Sequence, residues 1–127
     1  MNGFLLVGLG GAIGASLRHG VGLAAIRLLP GGWPWGTFAV NVAGSLAMGV
    51  LVGWLALKAD ATGQGTRLFL ATGVLGGFTT FSAFSLEIAN MMRTGAMARA
   101  TSYAGLSLIL GVAALFLGLW IARRLVA

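Results

Sequence analysis

Charged residues are scarce in this chain of 127 residues: only 8% are charged, and aspartate and glutamate together number 2. A soluble globular domain carries roughly 25% charged residues, so water is not the main solvent of this protein. Hydrophobic residues make up 58% of the sequence. The composition therefore predicts an integral membrane protein with almost no soluble part.

Cysteine is absent, which excludes disulfides and thiolate-bound metals. The sequence also offers no group of histidine, aspartate and glutamate that could hold a catalytic metal or build a triad, which argues against an enzyme. In a soluble domain the formal net charge of +6 would suggest nucleic-acid binding. Here the basic residues lie mostly at or near predicted helix ends, where lipid headgroups explain them without nucleic acid.

Apolar residues form four runs that are each long enough to cross a bilayer as a helix: roughly 4–28, 37–57, 68–92 and 98–122. The first run is too long for the apolar core of a cleaved signal peptide and is interrupted by Arg18 and His19. We expect residues 1–127 to form a single transmembrane domain.

Three breaks separate the runs. Residues 30–36 are rich in glycine, proline and tryptophan, which is typical of a loop at the membrane surface. Residues 58–67 form a second polar loop, and residues 93–95 are so few that they predict a tight helical hairpin.

Positive charge favours neither orientation of the chain in the membrane. The predicted helices place Lys58, Arg67, Arg123 and Arg124 on one side, against Arg27, Arg93 and Arg99 on the other. One interpretation is that the chain inserts both ways round, which would allow an antiparallel pair of identical subunits. The other is that a short chain has too few charges to show a bias.

Small residues recur at helical spacing in the first two runs, at Gly8, Gly11 and Ala15 and at Ala43 and Ala47. We interpret these steps as helix packing, because small side chains let membrane helices approach closely.

The third run carries polar residues at mid-membrane. Paired glycines, Gly76 and Gly77, precede a cluster of threonine and serine. Such glycines loosen a helix, and freed carbonyls at this depth are tolerated only where they line a cavity or bind an ion. The sequence thus predicts a third helix broken near its centre. The alternative is a bent helix whose hydroxyls bond to its own carbonyls.

Further polar side chains within the runs have to find partners. Asn41 could donate to an anion or to a facing helix. Arg18 either faces protein, water or an anion, or extends to the near interface. Glu87 either pairs with a hydroxyl or an arginine, or belongs to an ion path.

Aromatic and hydroxyl side chains also share helix faces. Phe81 and Phe84 are either apolar filler or present ring edges to an anion. Tyr103 and Ser107 form a hydroxyl stripe that either pairs helices or continues such a path.

Three segments resemble the Fluc or CrcB family of fluoride channels. They are GGAIGASLR at 10–18, GTFAVNVAG at 36–44 and GVLGGFTTFSAFSLE at 73–87, and they lie on successive helices in the family's order. The resemblance implies an all-α antiparallel homodimer of dual topology in the bacterial inner membrane. Each chain would contribute four helices and pass fluoride passively, which lowers cytoplasmic fluoride toxicity. A sodium ion would lie at the dimer centre.

The resemblance also assigns roles to residues. Phe81 and Phe84 would line the pores, Asn41 would donate to fluoride, and the backbone carbonyls of Gly76 and Thr79 would hold the sodium. The candidates for the vestibule and polar track are Arg18, Thr37, Ser82, Glu87, Tyr103 and Ser107. With this family in view, the balanced charge count favours dual topology.

Two positions depart from the family pattern. His19 stands where an aromatic residue often follows the arginine. Gly111 lies one helical turn beyond Ser107, where a further hydroxyl can extend the polar track.

The main rival function is that of a small multidrug exporter, which also has four helices. That exchange needs a carboxylate in the first helix. The first run of this chain has Arg18 near its centre and no carboxylate. A purely structural subunit would leave the polar residues at mid-membrane unexplained.

Overall fold

The computed structural model describes residues 2–58 and 63–126, and this part of the chain contains helices and no strand. Four helices are long and apolar enough to cross a membrane: α1 (Gly3–Leu28), α2 (Trp35–Leu57), α3 (Gln64–Arg93) and α4 (Met97–Val126). The predicted spans are confirmed, and the chain is a multi-pass membrane protein. The second predicted loop is helical from Gln64 onward, and its residues 59–62 lie outside the described residues.

The connections depend on glycine at positive φ. Gly31 and Gly32 have φ of 127° and 82° in the loop between α1 and α2, and Gly95 has φ of 83° between α3 and α4. These backbone angles favour glycine because it has no Cβ. In the α1–α2 loop the Trp33 ring packs edge-on against the Tyr103 ring of α4, with centroids 5.4 Å apart. The predicted hairpin between α3 and α4 is confirmed.

Glycines let α1 pack directly on the backbone of α3. A Cβ built on Gly10 would lie 2.9 Å from the amide nitrogen of Val74 and 3.0 Å from the Cα of Gly73. Both partners belong to a π-helical stretch, Leu68–Leu75. A Cβ on Gly77 would likewise lie 2.6 Å from the carbonyl oxygen of Gly11. Such contacts bring the two helices to backbone distance.

α2 packs on α4 in the same way, but through residues other than the predicted ones. A Cβ on Gly49 would lie 3.1 Å from the Cα of Gly118. Ala43 and Ala47, which we expected at a helix contact, are exposed in the single chain. Glycines on the opposite side of α2, such as Gly49, have no side chain and so let α4 pack closely.

α3 is bent, and its helical backbone is interrupted between its two halves, where hydroxyls of α3 also donate to carbonyls of their own helix. Thr79 and Thr80 are extended, with ψ of 158° and 118°. The second half, Phe81–Arg93, begins with the Thr80 hydroxyl accepting a hydrogen bond from the Ala83 amide at 3.2 Å, a regular N-cap. The paired glycines remain helical, as part of Gly76–Phe78. The interruption therefore lies just after them.

Candidate functional site

Asn41 of α2 binds the interruption of α3 through both atoms of its amide. Its Oδ1 accepts a hydrogen bond from the Thr80 amide at 2.8 Å, and its Nδ2 donates to the Thr80 carbonyl at 3.0 Å. In a continuous helix the Thr80 amide would donate to the carbonyl of Gly76. Because the Thr80 amide donates to Asn41 instead, the Gly76 carbonyl lacks this helical hydrogen bond. A primary amide has a second N–H, so Asn41 keeps one donor beyond this pair of bonds.

Beside Asn41 lies a groove of about 400 Å³, which we call the pore groove. It is lined by Asn41, Ser45, Phe81, Phe84, Ala104, Ser107, Leu108 and Gly111. The fold thus brings together four residues predicted for the pore: Asn41, Phe81, Phe84 and Ser107. None of the described lining residues is acidic.

The pore groove has aromatic rings on one wall and a free hydroxyl on another. The rings of Phe81 and Phe84 lie 5.9 Å apart between centroids, and Phe81 is 79% exposed in the single chain. The Ser107 hydroxyl is buried and has no hydrogen-bond partner among the described residues. Buried hydroxyls are normally satisfied, so this one is available to a ligand.

A second cavity of about 290 Å³, the break cavity, adjoins the interruption of α3. Its lining includes Thr79 and Thr80 and shares Asn41, Ser45 and Phe81 with the pore groove. The helix break and the groove are therefore neighbours.

Glu87 lies in a hydroxyl cluster next to the pore groove and is absent from the groove's lining. Its carboxylate accepts hydrogen bonds from the Thr37 hydroxyl and from the Tyr103 hydroxyl, the latter at 2.7 Å. Of the partners left open by the sequence, hydroxyls are the ones found. Each hydroxyl has a single proton, so both give theirs to the carboxylate. The Tyr103 ring contacts Phe84 at 5.1 Å between centroids, which connects the cluster to the groove wall.

Arg18 points into the protein at mid-membrane. Its Nε donates to the Gly77 carbonyl at 3.0 Å, close to the end of the first half of α3. The carbonyls there have lost their helical donors, and a cation at a helix C-terminus is favourable. Arg18 also lines a cavity of about 270 Å³ together with His19, Thr37 and Thr80. Extension to the interface is not what the structure shows.

Ser82 stands apart from these features. It is exposed in the single chain, and its hydroxyl lies 3.4 Å from the hydroxyl of Thr80. It is not among the described lining residues of the pore groove. Ser45 is in the lining instead, although none of the sequence motifs includes it. Its spacing of one helical turn after Asn41 is the signal that could have found it.

Four membrane helices, a broken third helix and a groove of hydrogen-bond donors are features of the class of small membrane proteins that conduct or transport ions. The chain belongs to the CrcB family: the family model described as "CrcB-like protein, Camphor Resistance (CrcB)" matches residues 5–119.

Relatives over the full length of the chain carry a more specific name. A protein of Hyphomonas neptunium named "Fluoride-specific ion channel FluC" is 73% identical over 127 residues, which is 100% of both chains. The protein of the same name from Caulobacter sp. is 53% identical over 125 residues, 98% of each chain. The one from Mesorhizobium japonicum is 50% identical over 125 residues, 98% of this chain and 99% of its own. The family resemblance in the three motifs is confirmed.

Proposed function

We propose that this protein is a fluoride-selective channel that lets fluoride leave the cell passively across the bacterial inner membrane and so lowers cytoplasmic fluoride toxicity. The observation that carries the proposal is the pore groove, where amide and hydroxyl donors face phenylalanine rings without an acidic residue in the described lining. Relatives named as fluoride-specific channels support it.

The groove suits a small, strongly hydrated anion. To enter, such an ion must exchange water for other hydrogen-bond donors. Asn41 and Ser107 offer an amide N–H and a hydroxyl. Phe81 and Phe84 can present positive ring edges. The second half of α3 begins at Phe81, so the positive end of that half-helix also favours negative charge nearby.

The rival function, a small multidrug-type exporter, is disfavoured by α1. Proton exchange against a cationic drug needs a carboxylate within the helices, and α1 contains neither aspartate nor glutamate. Glu87, the acidic residue of α3, is engaged by the hydroxyls of Thr37 and Tyr103. The proposal includes no catalytic step.

Growth of bacteria separates the two functions. We expect expression of this protein to restore growth in millimolar fluoride to a strain that lacks its own fluoride exporter, because passive efflux keeps cytoplasmic fluoride low. Resistance to cationic dyes should stay unchanged. The Asn41→Ala variant, expressed at the same level, is the matched control and should not restore growth. Dye resistance without fluoride resistance would favour the exporter.

We also propose that two copies associate antiparallel. An irregular backbone at mid-membrane is tolerated only where protein or a water-filled cavity surrounds it. In the single chain Gly76, Phe81 and Ser82 are exposed around the interruption of α3. A second copy over this face would remove the break from lipid. The balanced positive charges at the two ends of the helices permit both orientations.

Cysteine labelling tests this dual topology. The chain has no cysteine of its own, and Gln64 is exposed at the start of α3. We expect Gln64→Cys to react with a membrane-impermeant maleimide from the outside of intact cells and, in inverted vesicles, from the cytoplasmic side. Thr94→Cys, at the other end of α3, should behave alike. Reaction of each cysteine from one side alone, on opposite sides, would show a single orientation.

Finally, we propose that a sodium ion binds where the two interruptions meet in the dimer. The Gly76 carbonyl lacks its helical donor, because Asn41 binds the Thr80 amide, and Thr79 is extended. Residues 72–85 contain no carboxylate. A site here must therefore use carbonyl dipoles, which suit a hard monovalent cation. Gly76 and Thr79 of both copies would hold the ion, which would supply a fixed positive charge at the dimer centre.

A further inference from the structure

α4 presents one hydroxyl to the pore groove, that of Ser107. Positions 103, 107 and 111 follow one another at intervals of four residues and so share a helix face. Tyr103 and Ser107 carry hydroxyls, whereas Gly111 has no side chain. Ser107 and Gly111 both line the pore groove, so the wall of α4 has no donor one turn beyond Ser107.

A hydroxyl of α2 occupies the place that faces this gap. A Cβ built on Gly111 would lie 3.7 Å from the Oγ of Ser45, with no other neighbour within 4 Å. Ser45 lines the pore groove with Ser107 and Gly111, and it also lines the break cavity with Asn41. It therefore lies where the two cavities meet.

We infer that Ser45 is an anion-binding residue of the pore and that it supplies from α2 the hydroxyl that α4 lacks at position 111. The inference rests on the proposed fluoride function. Asn41 and Ser45 are one turn apart on α2, which corresponds to about 5.4 Å along the helix. An anion moving along the groove from the amide of Asn41 thus meets the hydroxyl of Ser45 next, with Ser107 on the facing helix.

The Ser45 hydroxyl can turn to an anion without leaving a group unsatisfied. It donates to the carbonyl of Asn41 at 2.7 Å. That carbonyl lies inside α2, where the helix supplies a backbone donor to it. The side-chain bond is therefore additional, and a change of the serine rotamer releases the proton.

The test uses full-length protein reconstituted in liposomes and measures fluoride flux. We expect Ser45→Ala to lower the flux about tenfold, the effect of losing one hydrogen bond to a charged partner. Adding Gly111→Ser to Ser45→Ala should restore most of the flux, because the new hydroxyl enters the same gap. The 3.7 Å spacing at Gly111 leaves room for that side chain.

Ser102→Ala is the matched control. Its hydroxyl makes the same type of bond to its own helix, donating to the Ala98 carbonyl at 2.8 Å, but Ser102 is not among the described residues that line the groove. We expect wild-type flux from this variant. Ser45→Cys replaces the hydroxyl with a slightly larger thiol, which is a weaker donor, so it should also lose flux, with the proposed dimer intact on size exclusion.

The outcomes separate this inference from the function on which it rests. If the wild-type protein passes no fluoride, the proposed function itself is wrong. If the wild type conducts, wild-type flux from Ser45→Ala would overturn the role of Ser45 alone. So would a loss in Ser45→Ala that Gly111→Ser does not repair while Ser45→Cys conducts normally, since packing would then explain the effect.

Discussion

Replacing Asn41 with alanine is expected to lower fluoride flux about a hundredfold and to leave the proposed dimer assembled. The variant loses the donor assigned to the anion, which as a hydrogen bond to a charged partner is worth about 1.5–3 kcal/mol. It also loses both bonds to Thr80, which frees the Thr80 amide to donate to Gly76 and lets the helix break close. Because the two bonds to Thr80 lie within one chain, their loss alone should leave the proposed dimer assembled.

Liposome flux and size exclusion on the same preparation measure the two effects. Asn90→Ala is the matched control, because it removes an asparagine, on α3, that is exposed and is not among the described lining residues of the pore groove. We expect wild-type flux from it. Flux from Asn41→Ala within twofold of the control would exclude Asn41 from the path. Dissociation of the variant in detergent would make Asn41 a packing residue.

Removal of sodium is expected to have an effect of similar size. Protein assembled with potassium, lithium or a bulky organic cation should lose most of its fluoride flux and a large part of its dimer stability. The reason is that in the proposed site carbonyl oxygens of both copies would complete the shell, so the ion would couple folding of the bent helices to dimerisation.

Two measurements on the same samples distinguish the two contributions of the cation. Fluoride flux reports the electrostatic contribution of the cation, and the melting temperature of the dimer reports its structural contribution. Sodium added back during assembly should restore both. Full flux and unchanged melting after prolonged sodium removal would contradict a required site, whatever the protein conducts.

The sequence predicts the fold well because the membrane restricts the choices. Each span of α1–α4 had to be a run of about 20 apolar residues, and such runs are visible without an alignment. The hairpin at 93–95 followed from its length alone. The broken α3 followed from glycines and hydroxyls at mid-membrane, where a continuous helix has little use for them.

The position and cause of the break needed tertiary information. The sequence pointed to the paired glycines, but Gly77 is used for contact with α1. The break is instead fixed by the N-cap of Thr80 and by Asn41, which is 39 residues away along the chain. No local pattern reveals which backbone amide a distant asparagine will take.

Within the site, helical spacing predicted the neighbours on one helix and missed those across helices. Phe81 and Phe84 were grouped correctly on α3, where their ring centroids lie 5.9 Å apart. That Ser45 of α2 would face Gly111 of α4 depends on the rotation of both helices, which glycine contacts between α2 and α4 determine. The partners of Glu87 stayed open for the same reason.

Fluoride efflux from liposomes that contain only this purified protein tests the central claim most directly. The liposomes are loaded with fluoride, and efflux is followed with a fluoride electrode, with an ionophore to dissipate membrane potential and no pH gradient. We predict rapid loss of fluoride down its gradient and no comparable loss of chloride from matched liposomes. Equal chloride flux, or fluoride loss that occurs only with proton counterflow, would contradict a passive, fluoride-selective channel.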